Sequence, residues 1–595
     1  MAKSALREFI EGYEQSDERN GESRGKRFFC RSFSGTVTPV MLHFSKRGIL
    51  KFFSTLSKRI QYMSTKALGA SFLAFGIVTI ILSFLADYGS ATGEAATISF
   101  IIGVALALLA IPLLLSDEIF AYIFQNVRAL DKFLFDFLCI NRVPKSEGTK
   151  SVPIAVMAVL GALLGFLGYF LPVWWVLFIV LVAVFVYIAF GSPEFAFFST
   201  FFVAPYVSHI PYGQWILVAL VALSSLSFVR KVLSGKRVFS FEQYDALVLF
   251  IIALTVTSGV FAKGEGGFTA AVLMAAFMLG YFLSSNLITN RRLADCMIIA
   301  VFLSSVAPSV IAYYEFITAA VQDSAEALLA VGVSSVFTST ETFAVFLLIS
   351  IAFAMALIAQ SSGFLKLLCI TVMIFDIGAL VMCSEPFALF ALALGIVLYV
   401  VLGFRKTWTG GVTFALAAVP YLAVMLIALI NPAFLSIGEL VSVWGASLGA
   451  FVYNIVIGIG VNPESFSAVI SDVGGASSAS NIFIETGLDI GIFALAAFIL
   501  LLVIRTRHRT IYHGYIKHSE ISMISPVIAV ATFSIVAFGT AADVFSDSSS
   551  YYLFWCVFGA GSATLRVAKK AYDDRVLYFE DTIDSESSVV DVKIL

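Results

Sequence analysis

Charged side chains are scarce in this chain of 595 residues. Asp, Glu, Lys and Arg make up 13% of it, while 60% of its residues are apolar and its mean hydropathy is +0.96. Water-soluble domains carry roughly 25% charged and roughly 45–50% apolar residues. The composition therefore excludes a soluble globular protein, a disordered chain and a secreted disulfide scaffold, and it indicates a chain that folds in a lipid bilayer.

Paired cysteines and cofactor motifs are also missing from the sequence. The six cysteines are scattered and form no C-x-x-C or C-x-x-x-C, so neither a disulfide framework nor a zinc site is expected. The chain has no glycine-rich nucleotide loop, no H-E-x-x-H and no basic groove interleaved with aromatic residues. We therefore expect no metal, no cofactor and no nucleic-acid partner.

Long apolar segments make up most of the chain. A helix needs ~20 apolar residues to cross the hydrocarbon core of a membrane. The segments predict an all-α fold, a polytopic transmembrane helix bundle with sixteen spans, or fourteen if 172–190 and 194–208 are discounted. The sixteen are 67–87, 95–115, 152–170, 172–190, 194–208, 211–229, 242–261, 268–286, 294–317, 342–360, 364–383, 385–403, 410–430, 482–504, 522–541 and 548–565.

Lys and Arg are divided unevenly between the two sides that these spans define. Thirteen of the 37 precede residue 67, and all of the others except Lys263 fall in alternate loops or in the C-terminal tail. The positive-inside rule makes the basic side cytoplasmic. We therefore expect a multi-pass protein of a bacterial plasma membrane with both termini in the cytoplasm. The first apolar segment begins too late for a cleavable signal peptide.

The same pattern divides the chain into regions. They are a basic cytoplasmic N-terminal region (1–66), two additional spans with a cytoplasmic amphipathic segment (67–151), a polytopic membrane core (152–567) and a cytoplasmic tail (568–595) whose acidic end is typical of disorder. The core has two long outer loops, 318–341 and 431–481, and the second precedes a late span. Its apolar stretch 440–459 is expected to lie along the outer surface or to dip into the membrane and return to the same side. If it crossed the membrane, the basic loops after residue 481 would face outward, against the charge pattern.

Several short motifs occur together in and before the second outer loop. They are Trp444, the turn Gly458-Ile459-Gly460 and the run 480–491 (SNIFIETGLDIG), with 311–316 (IAYYEF) and 337–344 (FTSTETFA) upstream. In this order they resemble the O-antigen ligase and O-antigen polymerase superfamily, over roughly residues 190–560. Members of that superfamily often show a tryptophan, a G-x-G turn, a His-Asn pair and a helix that starts with Glu-x-Gly-x-x-Gly.

The resemblance implies a reaction and partners. Members transfer a glycan from an undecaprenyl-diphosphate carrier at the outer face of the plasma membrane, in a metal-independent inverting glycosyl transfer. Such chemistry needs a base that activates the acceptor hydroxyl and cations that hold the leaving diphosphate. For this chain the resemblance implies a role in surface polysaccharide assembly, with lipid-linked oligosaccharide, membrane lipids and other glycan-assembly membrane proteins as partners.

The basic residues of that superfamily are replaced in this chain. Glu385, in Ser384-Glu385-Pro386, stands where members often carry an arginine, and Glu439 lies in the stretch where a second arginine usually precedes the tryptophan. Ser480 stands at the place of the histidine in the His-Asn pair. The changes turn a cationic site into an acidic one, which repels a diphosphate unless a divalent metal bridges the two.

Candidate site residues follow from the motifs and from the predicted outer face. If transfer is retained, the candidate catalytic carboxylates are Glu341, Glu385 and Glu439. The candidate substrate-binding residues are Lys263, the one outer cation, together with Trp444, Ser480, Asn481 and Glu485.

Two other functions are open on the sequence alone. The chain could be a catalytically inactive member of the superfamily that serves as a partner, or an unrelated polytopic transporter or flippase. Asp376 lies in the middle of a predicted span, where carboxylates are commonly functional, and a transporter would need it more than a transferase would.

Overall fold

The structure is a computed structural model that describes residues 59–86, 93–137, 142–143, 152–233, 237, 239–242, 244–322, 332–404, 438–470, 478–511, 521–545 and 547–591. These residues are predominantly helical, and no strand occurs among them. The predicted all-α polytopic bundle is therefore confirmed.

The helices are labelled in chain order. They are α1 (Thr65–Ala86), α2 (Gly93–Leu115), α3 (Phe120–Asn126), α4 (Ile154–Leu167), α5 (Val173–Gly191), α6 (Pro193–Val203), α7 (Gly213–Leu233), α8 (Asp245–Val260), α9 (Gly267–Leu287), α10 (Arg291–Gln322), α11 (Thr340–Gln360), α12 (Gly363–Met382), α13 (Pro386–Phe404), α14 (Gly438–Tyr453), α15 (Pro463–Val469), α16 (Ile482–Ile490), α17 (Ile492–Ile511), α18 (Ile524–Phe538) and α19 (Ser548–Asp591).

The chain forms two compact units. Among the described residues, unit 1 comprises those up to Phe195 together with Ser227–Val238, and unit 2 comprises Ala196–Leu226 together with those from Phe239 onward. Helices α1 to α5 therefore belong to unit 1, and α8 to α19 belong to unit 2. The motif segments 311–316, 337–344, 458–460 and 480–491, together with Trp444, all lie in unit 2.

Eight helices of the described residues are long and apolar enough to cross a membrane, namely α1, α2, α5, α7, α9, α10, α11 and α12. Helices α4, α8, α13, α14 and α18 are apolar but shorter. The chain is thus a multi-pass membrane protein. The exact span count and the side that faces the cytoplasm stay predictions, and the predicted span 410–430 lies outside the described residues.

Two predicted spans are wrong in their extent. The span 194–208 contains α6, a helix of 11 residues, followed by a short 3-10 turn; at 1.5 Å per residue α6 is about 16 Å long, too short to cross. The span 482–504 is divided into α16 and α17 at Gly491, which has a φ of +101°. Left-handed backbone interrupts a helix, and hydropathy does not register it.

Helix α19 runs from Ser548 to Asp591, so it extends beyond the predicted span 548–565 into the tail. The predicted disorder of the acidic end of the tail stays a prediction.

Unit 1 is held together by close helix packing at glycines. Helix α1 packs against α2 and α4. A Cβ on Gly76 would lie 2.6 Å from the Gly103 carbonyl oxygen, and a Cβ on Gly161 would lie 2.1 Å from the Ser71 carbonyl oxygen. Because no side chain fits at these crossings, the backbones approach directly, as is common between helices in membranes.

Helix α11 is the central helix of unit 2. Its residues from Thr342 to Leu357 are almost all buried, on every face, and it packs against α10, α12, α13, α18 and α19. A helix that is apolar all round is expected at the centre of a bundle. The first turn of α11 carries Glu341, so this candidate residue is fixed at the centre of one end of unit 2.

Basic side chains gather at the opposite end of unit 2. Arg291 lies 3.6 Å from Asp295 and donates to the Gln360 side chain at 3.2 Å, so the α9–α10 and α11–α12 connections meet there. Arg509 donates to the Ser525 hydroxyl at 3.2 Å, and the Arg566 guanidinium lies 3.5 Å from the Glu242 carboxylate. The described segments of unit 2 that carry these arginines therefore lie at this end. We call this the basic end.

Candidate functional site at the acidic end

The loops predicted to lie outside meet at the other end of unit 2, here called the acidic end. It comprises residues 261–266, 332–341, 383–385, 458–465, 478–482, 539–545 and 547. The Lys263 N–H donates to the Ile459 carbonyl at 2.9 Å, the Val333 N–H to the Met382 carbonyl at 3.0 Å, and the Ile482 N–H to the Gly539 carbonyl at 2.6 Å. Segments that are far apart in sequence thus form one surface, in which Lys263 is the only Lys or Arg.

Two of the three predicted catalytic carboxylates are neighbours at the start of α11. Ser339 caps this helix through a capping box, which places Glu341 in the first turn. Glu341 Oε2 accepts a hydrogen bond from the Asp543 N–H at 2.9 Å, and the Thr340 hydroxyl donates to Glu385 Oε1 at 2.6 Å. The structure therefore joins Glu341 and Glu385 through adjacent residues of one helix start.

Glu385 has an altered acidity. It lies between α12 and α13, outside the helices that cross the membrane, and it follows Ser384, a non-glycine residue with a φ of +57°. Burial raises the pKa of Glu385 above that of an exposed glutamate, although the hydrogen bond from Thr340 favours its charged form. A carboxylate of this kind is a better proton acceptor than an exposed one.

Glu485 lies deeper, on α16, one helical turn before Asp489. Asn481 caps α16, because its Oδ1 accepts from two N–H groups of the first turn at 3.1 and 3.2 Å. Glu485 is 6% exposed, and its Oε2 is buried without a hydrogen-bond partner. It lines a cavity of about 20 Å³ together with Asp489, Tyr551 and Trp555. That space holds about one water molecule and no sugar ring.

The carboxylates of the acidic end act on one another electrostatically. Glu341 is repelled by Asp543 and Glu385, and Glu485 is repelled by Asp543, Asp489 and Glu341. We call these five residues the acidic cluster. Like charges in a buried site cannot all stay ionised without compensation. The cluster therefore favours uptake of protons or of a cationic group when the site is occupied.

The Gly458-Ile459-Gly460 turn holds the C-terminal end of α16. Both glycines are left-handed, with φ values of +83° and +104°. The Ile459 N–H donates to the Leu488 carbonyl at 2.8 Å, and the Gly460 N–H donates to the Asp489 carbonyl at 3.0 Å. The G-x-G motif therefore serves to attach the second outer loop to the helix that carries Glu485.

The other predicted site residues take part less directly. Trp444 is half-buried on α14, and its Nε1 is buried without a partner. Lys263 has an exposed side chain, and Ser480 adopts a left-handed φ of +46° directly before the helix cap. Glu439 lies in α14, but its side chain is outside the described residues. Among those described, no hydrogen bond or ion pair joins Lys263 or Trp444 to the acidic cluster.

Sequence reasoning did not single out Asp489 and Asp543 as site residues. Asp489 stands four residues after Glu485, a spacing that puts both on one face of α16, so the sequence did contain that signal. Asp543 belongs to no motif. Its contact with Glu341 spans 202 residues of sequence and becomes visible only in the fold.

The chemistry available at the acidic end is proton transfer. The cluster supplies several possible bases, and Lys263 is the one cationic side chain of the surrounding loops. Within the described part of the chain, no group of three or more His, Cys, Asp or Glu residues is arranged to hold a metal ion.

Neither a scan against protein-family models nor a search of curated proteins finds a match to this chain.

Proposed function

We propose that this protein transfers or polymerises glycan from an undecaprenyl-diphosphate carrier at the outer face of the plasma membrane, as a step of surface polysaccharide assembly. One observation carries the proposal. The motif segments 337–344, 458–460 and 480–491 are far apart in sequence, yet all of them reach the acidic end and contact the carboxylates there or the residues beside them. Convergence of separate segments on partly buried acids is typical of a site for acid–base chemistry.

The acidic cluster suits the activation of an acceptor hydroxyl. Glu341 or Glu385 takes the proton from that hydroxyl, whose oxygen then attacks the anomeric carbon while the carrier diphosphate leaves from the opposite face. The bond formed joins the acceptor oxygen to the sugar, and the bond broken joins the sugar to the diphosphate. In this proposal Lys263, exposed on the 261–266 loop, binds the leaving diphosphate. The glycan itself binds outside the small cavity, because that cavity admits about one water.

Transfer is tested in lipid vesicles that contain the purified protein and a lipid-linked oligosaccharide. We expect longer glycan chains, or release of the carrier, with the unmodified protein, and loss of product when Glu341, Glu385 and Glu439 are all replaced by Gln. Glu265→Gln is the matched control, since Glu265 lies on the same surface with an exposed side chain. Product formation that survives the triple change would exclude the acidic site. A transporter or an inactive partner would give no product with any variant.

If Glu385 is the base, the pH dependence of the transfer rate is expected to follow the deprotonation of its carboxyl group. A base works in its deprotonated form, so the rate should rise with pH through the pKa of Glu385. Burial raises that pKa, and the acid limb of the pH–rate profile should therefore lie at a higher pH than for an exposed glutamate. Glu385→Gln should remove this limb and Glu265→Gln should retain it. An identical profile in both variants would assign the base to another residue.

A further inference from the structure

Asp376 is a buried acid that the proposed transfer does not use. It lies in α12 and is 0% exposed, whereas the adjacent Phe375 is 44% exposed. The buried residues of α12 form one stripe, Cys369, Asp376, Ala379 and Leu380, and α12 packs against α10 and α11. The carboxyl group of Asp376 therefore points into the bundle.

Three serine hydroxyls surround this carboxyl group. The Ser309 hydroxyl lies 2.7 Å from Oδ1, and the hydroxyls of Ser305 and Ser350 lie 2.9 and 2.7 Å from Oδ2. Ser305 and Ser309 are one turn apart on α10, and Ser350 is on α11. Three helices thus meet at one carboxyl group, and all of these oxygens are buried.

The number of available hydrogens favours a protonated carboxyl group. The Ser305 hydroxyl has one hydrogen but two neighbouring acceptors, because the Phe302 carbonyl lies 2.9 Å away and Asp376 Oδ2 lies at the same distance. If Oδ2 carries a proton, it donates to Ser305, which in turn donates to Phe302. Ser309 and Ser350 then donate to the carboxyl oxygens. Each of these contacts has its own hydrogen in this arrangement, whereas in the ionised one the single Ser305 hydrogen must serve both Phe302 and Asp376.

Charges around Asp376 do not favour its ionised form. The basic residues of the three helices, Arg291, Arg292 and Lys366, lie in the first turns of α10 and α12, at the basic end. Tyr313 of α10 interacts with Asp376 electrostatically, but its hydroxyl donates to the Phe375 carbonyl at 3.3 Å. An uncompensated carboxylate inside an apolar bundle is strongly unfavourable. A metal cation among these oxygens would push them beyond the hydrogen-bond distances that they show.

We propose that Asp376, Ser305, Ser309 and Ser350 form a proton-binding site in the interior of unit 2, with one proton held on Asp376 Oδ2 and donated to Ser305. The site lies beside Pro308, which stands inside α10 and removes one helical N–H. Ser350 follows Glu341 by nine residues within α11. At 1.5 Å per residue the site lies about 13 Å along this helix from Glu341, and Asp376 lies on α12, which ends shortly before Glu385. The bound proton therefore lies in a hydrogen-bonded group that links α11, which carries Glu341, to α12, which precedes Glu385.

Infrared difference spectroscopy tests the site directly, with protein in lipid vesicles at neutral pH. The spectrum of the unmodified protein minus that of Asp376→Asn should contain the C=O stretch of a protonated carboxyl group, which shifts to lower wavenumber in D₂O. Ser305→Ala should shift this band to higher wavenumber, because the acid loses its acceptor. Ser304→Ala is the control, since the Ser304 hydroxyl donates to the Val301 carbonyl instead. A carboxylate stretch in place of the C=O band would overturn the proposal.

A second measurement separates a proton from a metal cation. Replacing sodium chloride by choline chloride should not change the thermal stability of the unmodified protein. The same replacement should not change the thermal stability of Asp376→Asn either. A sodium-specific rise in stability that Asp376→Asn abolishes would replace the proton by sodium. If Asp376→Asn does not fold, the band shift in Ser305→Ala against Ser304→Ala decides. None of these results depends on glycan transfer, so failure of the transfer assay leaves the proton site standing.

Discussion

Glu341→Gln is expected to lower the rate of glycan transfer by about 10²- to 10⁴-fold, the usual contribution of a general base. The change should leave the fold intact. Glutamine keeps an oxygen that can accept the hydrogen bond from the Asp543 N–H, which lies 2.9 Å from Glu341 Oε2. It also removes one of the mutually repelling charges of the acidic cluster. A loss of rate without a loss of stability would therefore identify a chemical role for the carboxylate.

The transfer rate of Glu341→Gln is to be compared with the rates of two other single variants. Glu385→Gln distinguishes the two candidate bases, because only replacement of the true base should give the full loss of rate. Replacement of the other carboxylate should lower the rate less, through electrostatic effects alone. Glu265→Gln changes the same chemical group on an exposed part of the same surface. Chain extension is measured with lipid-linked oligosaccharide, and thermal stability is measured in the same preparation. Equal rates for Glu341→Gln and Glu265→Gln would show that Glu341 does not take the proton.

Gly458→Ala is expected to destabilise the acidic end by roughly 2 to 5 kcal/mol, from backbone strain and overpacking together. Gly458 has a φ of +83°, in a region that residues with a Cβ rarely adopt. A Cβ there would lie 2.3 Å from the Asp489 carbonyl oxygen and 2.6 Å from the Ile490 nitrogen. Both are backbone atoms of α16, which cannot move aside as the end of a side chain can. The turn should separate from α16, and transfer should be lost with it.

Gly445→Ala is the control for this prediction. Gly445 lies in α14, and a Cβ there would meet no atom within 4 Å. Alanine in a helix interior is favoured over glycine by roughly 1 kcal/mol, so this variant should be as stable as the unmodified protein or more so. Thermal unfolding of both variants in detergent, followed by the fluorescence of the tryptophans, provides the measurement. If Gly458→Ala were as stable as Gly445→Ala, the turn would not hold α16 in the way its geometry indicates.

Much of the architecture follows from hydropathy and charge, and the structure shows why. Apolar segments of about 20 residues become helices because the backbone must satisfy its own hydrogen bonds in lipid. The loop that carries Arg291 meets the loop at Gln360 at the basic end, while the loop that carries Lys263 meets the turn at Ile459 at the acidic end. The alternation of basic and acidic loops was therefore a reliable guide to which loops share an end of unit 2.

The parts that sequence reasoning missed depend on backbone conformation and on distant contacts. Gly491 interrupts a segment whose hydropathy alone predicts one continuous span, because a left-handed φ has no counterpart in an apolar pattern. Asp543 reaches Glu341 through a backbone N–H, a group that every residue but proline carries and that no motif can mark. Asp376 could be located in a span from the sequence, but its three serine partners come from two other helices.

Helix α12 has two opposite faces, and its exposed face bears on how a lipid-linked substrate would reach the site in the proposed reaction. Phe364, Leu367, Ile374 and Val381 are 77%, 60%, 59% and 48% exposed, and their spacing places them along one side of the helix. This exposed apolar face of α12 ends within a few residues of Glu385. In the proposed reaction, an isoprenoid tail would lie along this face while its head group reaches the carboxylates, so the carrier would enter sideways from the leaflet without leaving the lipid phase.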